Sequence, residues 1–517
     1  MHKTRLSLAI IIVFVSFNCI NVDCFGETNS DLTTINPAYL ITPEQAYQWH
    51  VAKDVLGPAF AGNDSWKIFL QVIETKLREY GAVDLTKNKW TYDRWVTSEW
   101  PDTSRWSLVS NGTPIQVAAY NPNSGSTPEQ GITRDLVLFD INNPRADVKN
   151  KIAVVILQPE TDATPPEERI YAWPGDYMYL SNPETFADPN IPRRQSYATQ
   201  MRTEMRQVRQ AMDLLLEREA AGALWVTQAS YDRVAGLYTF GVPSIHQLPA
   251  LYLDRHAGEK IIADAKAGKK ATLRLVADVV PTETYQLVAY LPGKNYGTPK
   301  DEKIYMITHT DGPSISQDDG GYGLLAVANY FSHIPQAERP RTIMFYFDCR
   351  HYMPGAERAN PTNWMEDNEN AWDGVVASVG MEHLGQMEYS ENGDVYKQTG
   401  LEEHSRLHAA NNDLLLAMAI KAVKDNGLRR VSVEQVDRPG IHGRYQGRWL
   451  GLGAGPRRRG LPAFATMGDM AAYWSTSAGI EAFNADHFVR QVATMAQLVG
   501  ELMEADLKAI KPTPPSP

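Results

Sequence analysis

Apolar residues between Ser65 and Val83 fall at Trp66, Ile68, Phe69, Val72, Ile73, Leu77 and Tyr80. This spacing predicts an amphipathic helix closed by Gly81. Lys151-Ile152-Ala153-Val154-Val155-Ile156-Leu157 reads as a buried strand, followed by a Pro-rich polar stretch from Pro159 to Pro192. A long helix through Met201 to Ala221 comes next, then a strand Gly222-Ala223-Leu224-Trp225-Val226 and an apolar run from Leu248 to Leu253. A further helix and a closing strand from Ala271 to Ala277 complete residues 130–282 as a self-contained module, mixed α/β or β-rich. From 283 to 505 apolar strands alternate with helices, which predicts an α/β fold, a mostly parallel twisted sheet with helices on both faces. Residues 40–129 would be the N-terminal part of that main domain, and the Pro-rich end, 506–517, reads as a disordered tail.

Composition narrows the partners. The chain has 517 residues, 43% hydrophobic and 21% charged, enough to bury a sizeable core. Its 50 basic and 61 acidic side chains give 50 − 61 = −11, which argues against nucleic acid. Met1-His2-Lys3-Thr4-Arg5 followed by the apolar stretch Leu6 to Phe17 has the form of a signal peptide, set at residues 1–24, and predicts a periplasmic or secreted protein. That stretch is too short to cross a bilayer core of about 30 Å, so no stable membrane insertion is expected. Neither Cys19 nor Cys24 follows the small residue that a lipoprotein signal prefers. Only Cys349 lies in the folded body, so the core must suffice without an internal disulfide.

Three apolar runs of the third region each end in polar residues able to bind metal. Ile304-Tyr305-Met306-Ile307 leads into Thr308-His309-Thr310-Asp311; Thr342 to Phe347 leads into Asp348-Cys349-Arg350-His351; Val375 to Val379 leads into Gly380-Met381-Glu382-His383. Ligand crevices in open α/β sheets lie beyond the carboxyl ends of the strands, so the three clusters should converge on one edge. Between the first two, Gln317-Asp318-Asp319-Gly320-Gly321-Tyr322-Gly323 places a carboxylate pair on a glycine-rich turn opening a helix from Leu324 to Phe331. The glycines there permit positive φ and close backbone approach. The two-residue period of His309-Thr310-Asp311 puts both side chains on one face, where Asp311 could take a proton from one imidazole nitrogen while the other binds metal. A structural hydrogen bond is the plainer reading of the same spacing.

These residues resemble the M-twenty-eight zinc peptidases, which include bacterial aminopeptidases, glutamate carboxypeptidase and glutaminyl cyclase. His309 is similar to the first ligand of that family, Asp319 in Asp319-Gly320-Gly321-Tyr322-Gly323 to the zinc-bridging Asp, and Glu382 to a later acidic ligand. The likeness spans 283–505 and the N-terminal helices, and residues 130–282 resemble the protease-associated module often inserted in the family. It implies an exported zinc-dependent hydrolase of amide-like bonds, with a small-molecule or peptide-like substrate.

The departures from the pattern are as informative. Where the family carries Glu-Glu, this chain has Arg350-His351, and an arginine cannot serve as the general base. Asp318 or another carboxylate would have to substitute. His351 is a competent zinc ligand in the second position. Near the late His-Thr of the family stands Tyr473-Trp474-Ser475-Thr476, so that ligand is lost; Tyr473, His442 and Arg444 then become candidate substrate contacts, and His442 a candidate replacement ligand. The set implied is His309, Asp319, His351 and Glu382, which suits one zinc better than two. Arg350 either faces the metal, suited to an anionic or oxyanionic substrate group, or forms a salt bridge with Asp348 or Asp318. The 24 Tyr and 12 Trp leave an aromatic substrate open. A Lewis-acid lyase or isomerase, or a non-catalytic binding module, are the other classes the altered site allows. His404 and His408, before a helix and flanked by Glu402 and Glu403, read as a solvated face, and His487 as packing at the start of the last helix. Arg457 to Arg459 read as neutralising a local acidic surface.

Overall fold

The computed structural model describes residues 31–158, 178–182, 197–239, 244–353, 364–436, 449, 451–468 and 475–513. The signal-peptide segment, the end of the tail, and His442, Arg444 and Tyr473 lie outside them.

The strand Lys303–His309 is buried on both faces and sits near the middle of a nine-stranded sheet. It runs parallel to Thr342–Asp348 on one side and to Val375–Gly380 on the other. His309 pairs with Asp348 and Ile307 with Gly380, which brings the three carboxyl ends level. The ladder continues past the strands: Thr310 donates its N–H to Asp348 O at 2.7 Å and Met381 to Ile307 O at 3.0 Å. Val375–Gly380 also pairs in parallel with Ala463–Gly468. Antiparallel pairings lie to either side, from Val83–Val96 and Asp278–Leu291 at one edge to Met178–Leu180 at the other. The sheet expected to be mostly parallel has a parallel centre, with antiparallel pairings added toward its edges.

A second, eight-stranded sheet takes its strands from Trp106–Ser110 to Lys270–Leu275. It draws on residues upstream of 130, because Trp106–Ser110 pairs with Lys270–Leu275 in antiparallel register. Conversely, Met178–Leu180 leaves this segment to pair with Val431–Gln435 of the main sheet. The segment 130–282 thus contributes to both sheets. Gly222–Val226 and Ala250–Leu253 lie in the second sheet, and the helix Tyr197–Glu217 precedes them in the chain.

Asn63 caps the first amphipathic helix, Asp64–Glu79, by accepting the Trp66 N–H at 2.8 Å. Trp66, Phe69, Leu70, Ile73 and Leu77 are buried. Ile68 and Val72, read as part of the apolar face, are exposed, since they fall beside rather than on the buried stripe. Trp66 Nε1 donates to Thr310 Oγ1 at 3.1 Å, tying this helix to the loop after the central strand.

The helix Gly320–Ser332 is almost wholly buried against that edge. Its glycines answer to close approach alone. A Cβ on Gly320 would lie 2.2 Å from Thr308 Oγ1 and 2.4 Å from Met381 O, and none of Gly320, Gly321 and Gly323 has positive φ. Tyr322, unusual at a position expected to be small, fits because His50 and Phe69 pack on its ring at centroid distances of 5.1 Å each. The tail is ordered further than its composition predicts. Ile510 is buried and Thr513 donates its N–H to Asn411 O at 2.9 Å.

Candidate metal centre

Three buried donors meet beyond the carboxyl ends of the parallel strands. His309, Glu382 and His383 each offer a ligand atom, all lying within 4.8 Å of one another, an arrangement that could hold a metal ion. His309 Nε2 is 3.3 Å from Glu382 Oε2, and His383 Nε2 is 3.9 Å from the same oxygen. The other carboxylate oxygen of Glu382 accepts the Leu452 N–H at 3.1 Å. His383 is a residue that sequence reasoning passed over. In an extended chain Glu382 and His383 would point to opposite faces, but His383 adopts φ 57°, a left-handed conformation uncommon outside glycine. That turn brings consecutive side chains into one cluster. Backbone strain of this kind concentrates at functional sites.

The donor set is of a kind that could hold a metal ion. Two imidazoles and a carboxylate with room for one more ligand form a recurring zinc arrangement. Burial alone would lower the His309 pKa, but the hydrogen bond and charge of Glu382 overcome it and raise it. Burial likewise opposes ionisation of Glu382, yet the charges of His383 and His309 draw its pKa down to about 2. The Gln317 amide nitrogen lies 3.1 Å from His309 Nε2 and 3.0 Å from His383 Nε2. Glu382 thus favours a proton on His309 Nε2 while the amide needs that nitrogen's lone pair, so the two contacts compete for one ring nitrogen.

The other residues of the expected set stand differently. Asp319 is not in the three-donor group: its Oδ2 accepts the Leu384 N–H at 2.9 Å and the Gln386 amide at 2.8 Å, and its buried Oδ1 has no hydrogen-bond partner. Burial, together with the charges of Asp318 and Glu382, pushes its pKa well above the ordinary carboxylate range. His351 stacks on His309, ring centroids 4.4 Å apart and 21° between planes, and is not part of the three-donor group. Burial and the His309 charge lower its pKa far below that of a free imidazole.

Asp311 does not orient His309. Its two oxygens accept the backbone N–H groups of His351 at 3.1 Å and Tyr352 at 2.6 Å, and His309 Nδ1 has no hydrogen-bond partner. Asp311 therefore fixes the chain that follows the neighbouring strand, and burial raises its pKa to about 7. Asp318 is no free base either, for Lys53 Nζ lies 3.0 Å from its Oδ2. Arg350 is matched by Asp348 in a two-pronged pair: Nε lies 2.8 and 3.0 Å from the two oxygens, and Nη2 lies 2.6 Å from Oδ2. The salt-bridge alternative is the one the structure adopts. Burial opposes ionisation of Asp348, but Arg350 prevails and lowers its pKa.

Beside the cluster opens a cavity of about 400 Å³. His309, His351, Asp348 and Arg350 line it together with Tyr305, Tyr346 and Trp372.

His404 and His408 are not on a solvated face. His408 lies in the buried strand Ser405–Ala409, His404 just before it, and Glu402 and Glu403 are buried too. Glu402 there pairs with Arg429 at 2.6 Å and Arg490 at 2.5 Å. His487 is buried in the last helix, 3.7 Å from Glu402, and burial lowers its pKa to about 4. Arg459 lies over the Trp372 ring, 4.1 Å from its centroid.

No protein-family model matches the sequence, and no curated protein does. Among solved structures, the chain is similar to a peptidase M-twenty-eight precursor from Shewanella amazonensis, at TM-score 0.59 and 16% identity, covering 92% of this chain and 98% of that one. A zinc aminopeptidase from Bacillus subtilis matches at TM-score 0.56 and 14% identity over the same shares. An aminopeptidase from an Aneurinibacillus species matches at 0.52 and 13%, over 95% and 98%. At these identities the likeness establishes the fold, a mixed α/β architecture of the aminopeptidase kind. Among the described residues, no helix is long and apolar enough to cross a membrane.

Proposed function

We propose that the protein is a metal-dependent hydrolase of amide-like bonds, holding one zinc ion through His309, Glu382 and His383. The observation that carries this reading is the convergence of those three buried donors at the carboxyl edge of the parallel strands. It is supported by the fold shared with zinc aminopeptidases. Zinc would supply Lewis acidity toward a substrate carbonyl. The chain's own groups do the rest. Tyr305, Tyr346 and Trp372 offer rings to an aromatic or aliphatic residue of the substrate, and the Asp348–Arg350 pair offers a fixed dipole at the cavity wall. Asp311 holds the His351–Tyr352 backbone, and Tyr352 Oη donates to Gln317 Oε1 at 3.1 Å, which orients the amide beside the two imidazoles. The basic and then apolar N-terminal sequence supports an activity exported from the cytoplasm.

One observation favours a second reading. Among the described residues, Asp311, Asp318, Asp319, Asp348 and Glu382 at this edge each engage a partner through at least one oxygen, so none is a wholly unengaged proton acceptor. A Lewis-acid lyase or isomerase, which activates no water, is the class it favours.

Turnover of a panel of aminoacyl and peptidyl substrates by zinc-loaded protein tests the choice. Hydrolysis abolished by a chelator and by His383→Ala is expected. Stoichiometric zinc with no hydrolysis of any substrate would transfer the case to the second reading.

A further inference from the structure

The helix Pro43–Asp54, far upstream in sequence, ends against Asp318. Lys53 in its last turn lies 3.0 Å from Asp318, and both side chains are 1% exposed. Its Nζ also donates to Gly57 O at 3.3 Å and sits over the Phe69 ring, 5.5 Å from the centroid. Lysine is almost never this buried unless paired, and two desolvated charges cost more than two well-packed apolar side chains would. Stability alone is thus a poor account of the pair.

Its location supplies a better one. Asp318 adjoins Asp319 at the start of the buried helix, and its charge is felt at His309. The carboxylates around the cluster are each accounted for differently. Glu382 belongs to the donor group, Asp311 is held by backbone N–H groups, and Asp319 accepts from the Leu384 N–H and the Gln386 amide. Asp318 is matched by a cation that the protein itself supplies. An ammonium on a four-carbon stem is a compact point charge, suited to standing where a small cation would otherwise be drawn.

We propose that the Lys53 ammonium takes the place of a second cation at this edge of the sheet, and so fixes the centre at one metal ion. Held by its own chain, this charge cannot be removed by a chelator. It also keeps Asp318 from serving as a ligand or proton acceptor. The inference rests on the metal reading above and extends it, for it assigns the ion count to a named residue.

The test is equilibrium dialysis of the full chain against zinc, with metal analysis per folded chain. The wild type should hold one ion and Lys53→Ala two, because Asp318 is then an uncompensated carboxylate beside the cluster. One ion in both overturns the inference while leaving the metal reading intact; no ion in the wild type overturns both, and two ions in the wild type overturn the inference. Should Lys53→Ala fail to fold, the double replacement Lys53→Met with Asp318→Leu removes both charges together. It should hold one zinc with affinity within about threefold of the wild type. A loss beyond tenfold would place Asp318 among the ligands and overturn the inference.

Discussion

His309 and His383 aim their Nε2 atoms at one position, for the Gln317 amide nitrogen lies 3.1 Å from the first and 3.0 Å from the second. An ion bound by both rings has to displace those contacts. Two hydrogen bonds are together worth about 1–3 kcal/mol net. Gln317→Leu, of similar size and without the amide, should therefore tighten zinc binding about tenfold, read by competition with a chromophoric chelator. Unchanged or weaker binding would count against the amide as a competitor.

Arg350 and Asp348 form a pair whose side chains are each 14% exposed. Removing one partner of such a pair leaves a buried charge uncompensated, at a cost of about 3–5 kcal/mol. Arg350→Ala should lose stability on that scale in urea unfolding and keep its zinc. Loss of zinc with unchanged stability would make Arg350 part of the metal centre rather than the cavity wall.

Burial raises the pKa of Glu99 from 4.5 to about 7, against the opposing hydrogen bond from Tyr120. A carboxyl group with a raised folded-state pKa binds more protons folded than unfolded between those two values. Its contribution is fully present below pH 4.5 and is lost as pH rises through about 7. Glu99→Gln should flatten this part of the stability profile, measured by thermal unfolding across pH 4–8. An unaltered slope would show that other groups set it.

Gly320 is the point where the buried helix meets the sheet edge. A methyl group there would press on Thr308 Oγ1 and on the Met381 carbonyl, of which the second is backbone and cannot rotate away. Gly320→Ala should destabilise by about 1–3 kcal/mol through overpacking, and gain nothing from the better helix propensity of alanine. A neutral or stabilising result in urea unfolding would contradict this packing.

Much of the framework was legible because burial leaves periodic marks. The runs ending at His309, Asp348 and Gly380 are apolar enough to be buried parallel strands, and their shared direction put three polar clusters at one edge. His309 and Glu382 followed from that. His383 did not, since its place depends on a left-handed backbone turn that defeats the alternation rule, and a histidine gives no sign of that conformation in sequence. Lys53 was equally hidden. In a polar helix without an apolar stripe a lysine reads as solvated, and only tertiary packing against Asp318 buries it. Ile68 and Val72 show the converse, apolar residues that the fold leaves in solvent. Asp319 and Asp318 could not be told apart by spacing, because adjacent carboxylates at the start of a helix differ only in what each one meets there.

The most direct test compares zinc bound by the wild type, His383→Ala and Asp319→Asn. The three-donor centre predicts one zinc per chain in the wild type, binding weakened at least a hundredfold in His383→Ala, and binding within about threefold of the wild type in Asp319→Asn. A zinc-free wild type, or zinc kept by His383→Ala and lost by Asp319→Asn, would contradict it.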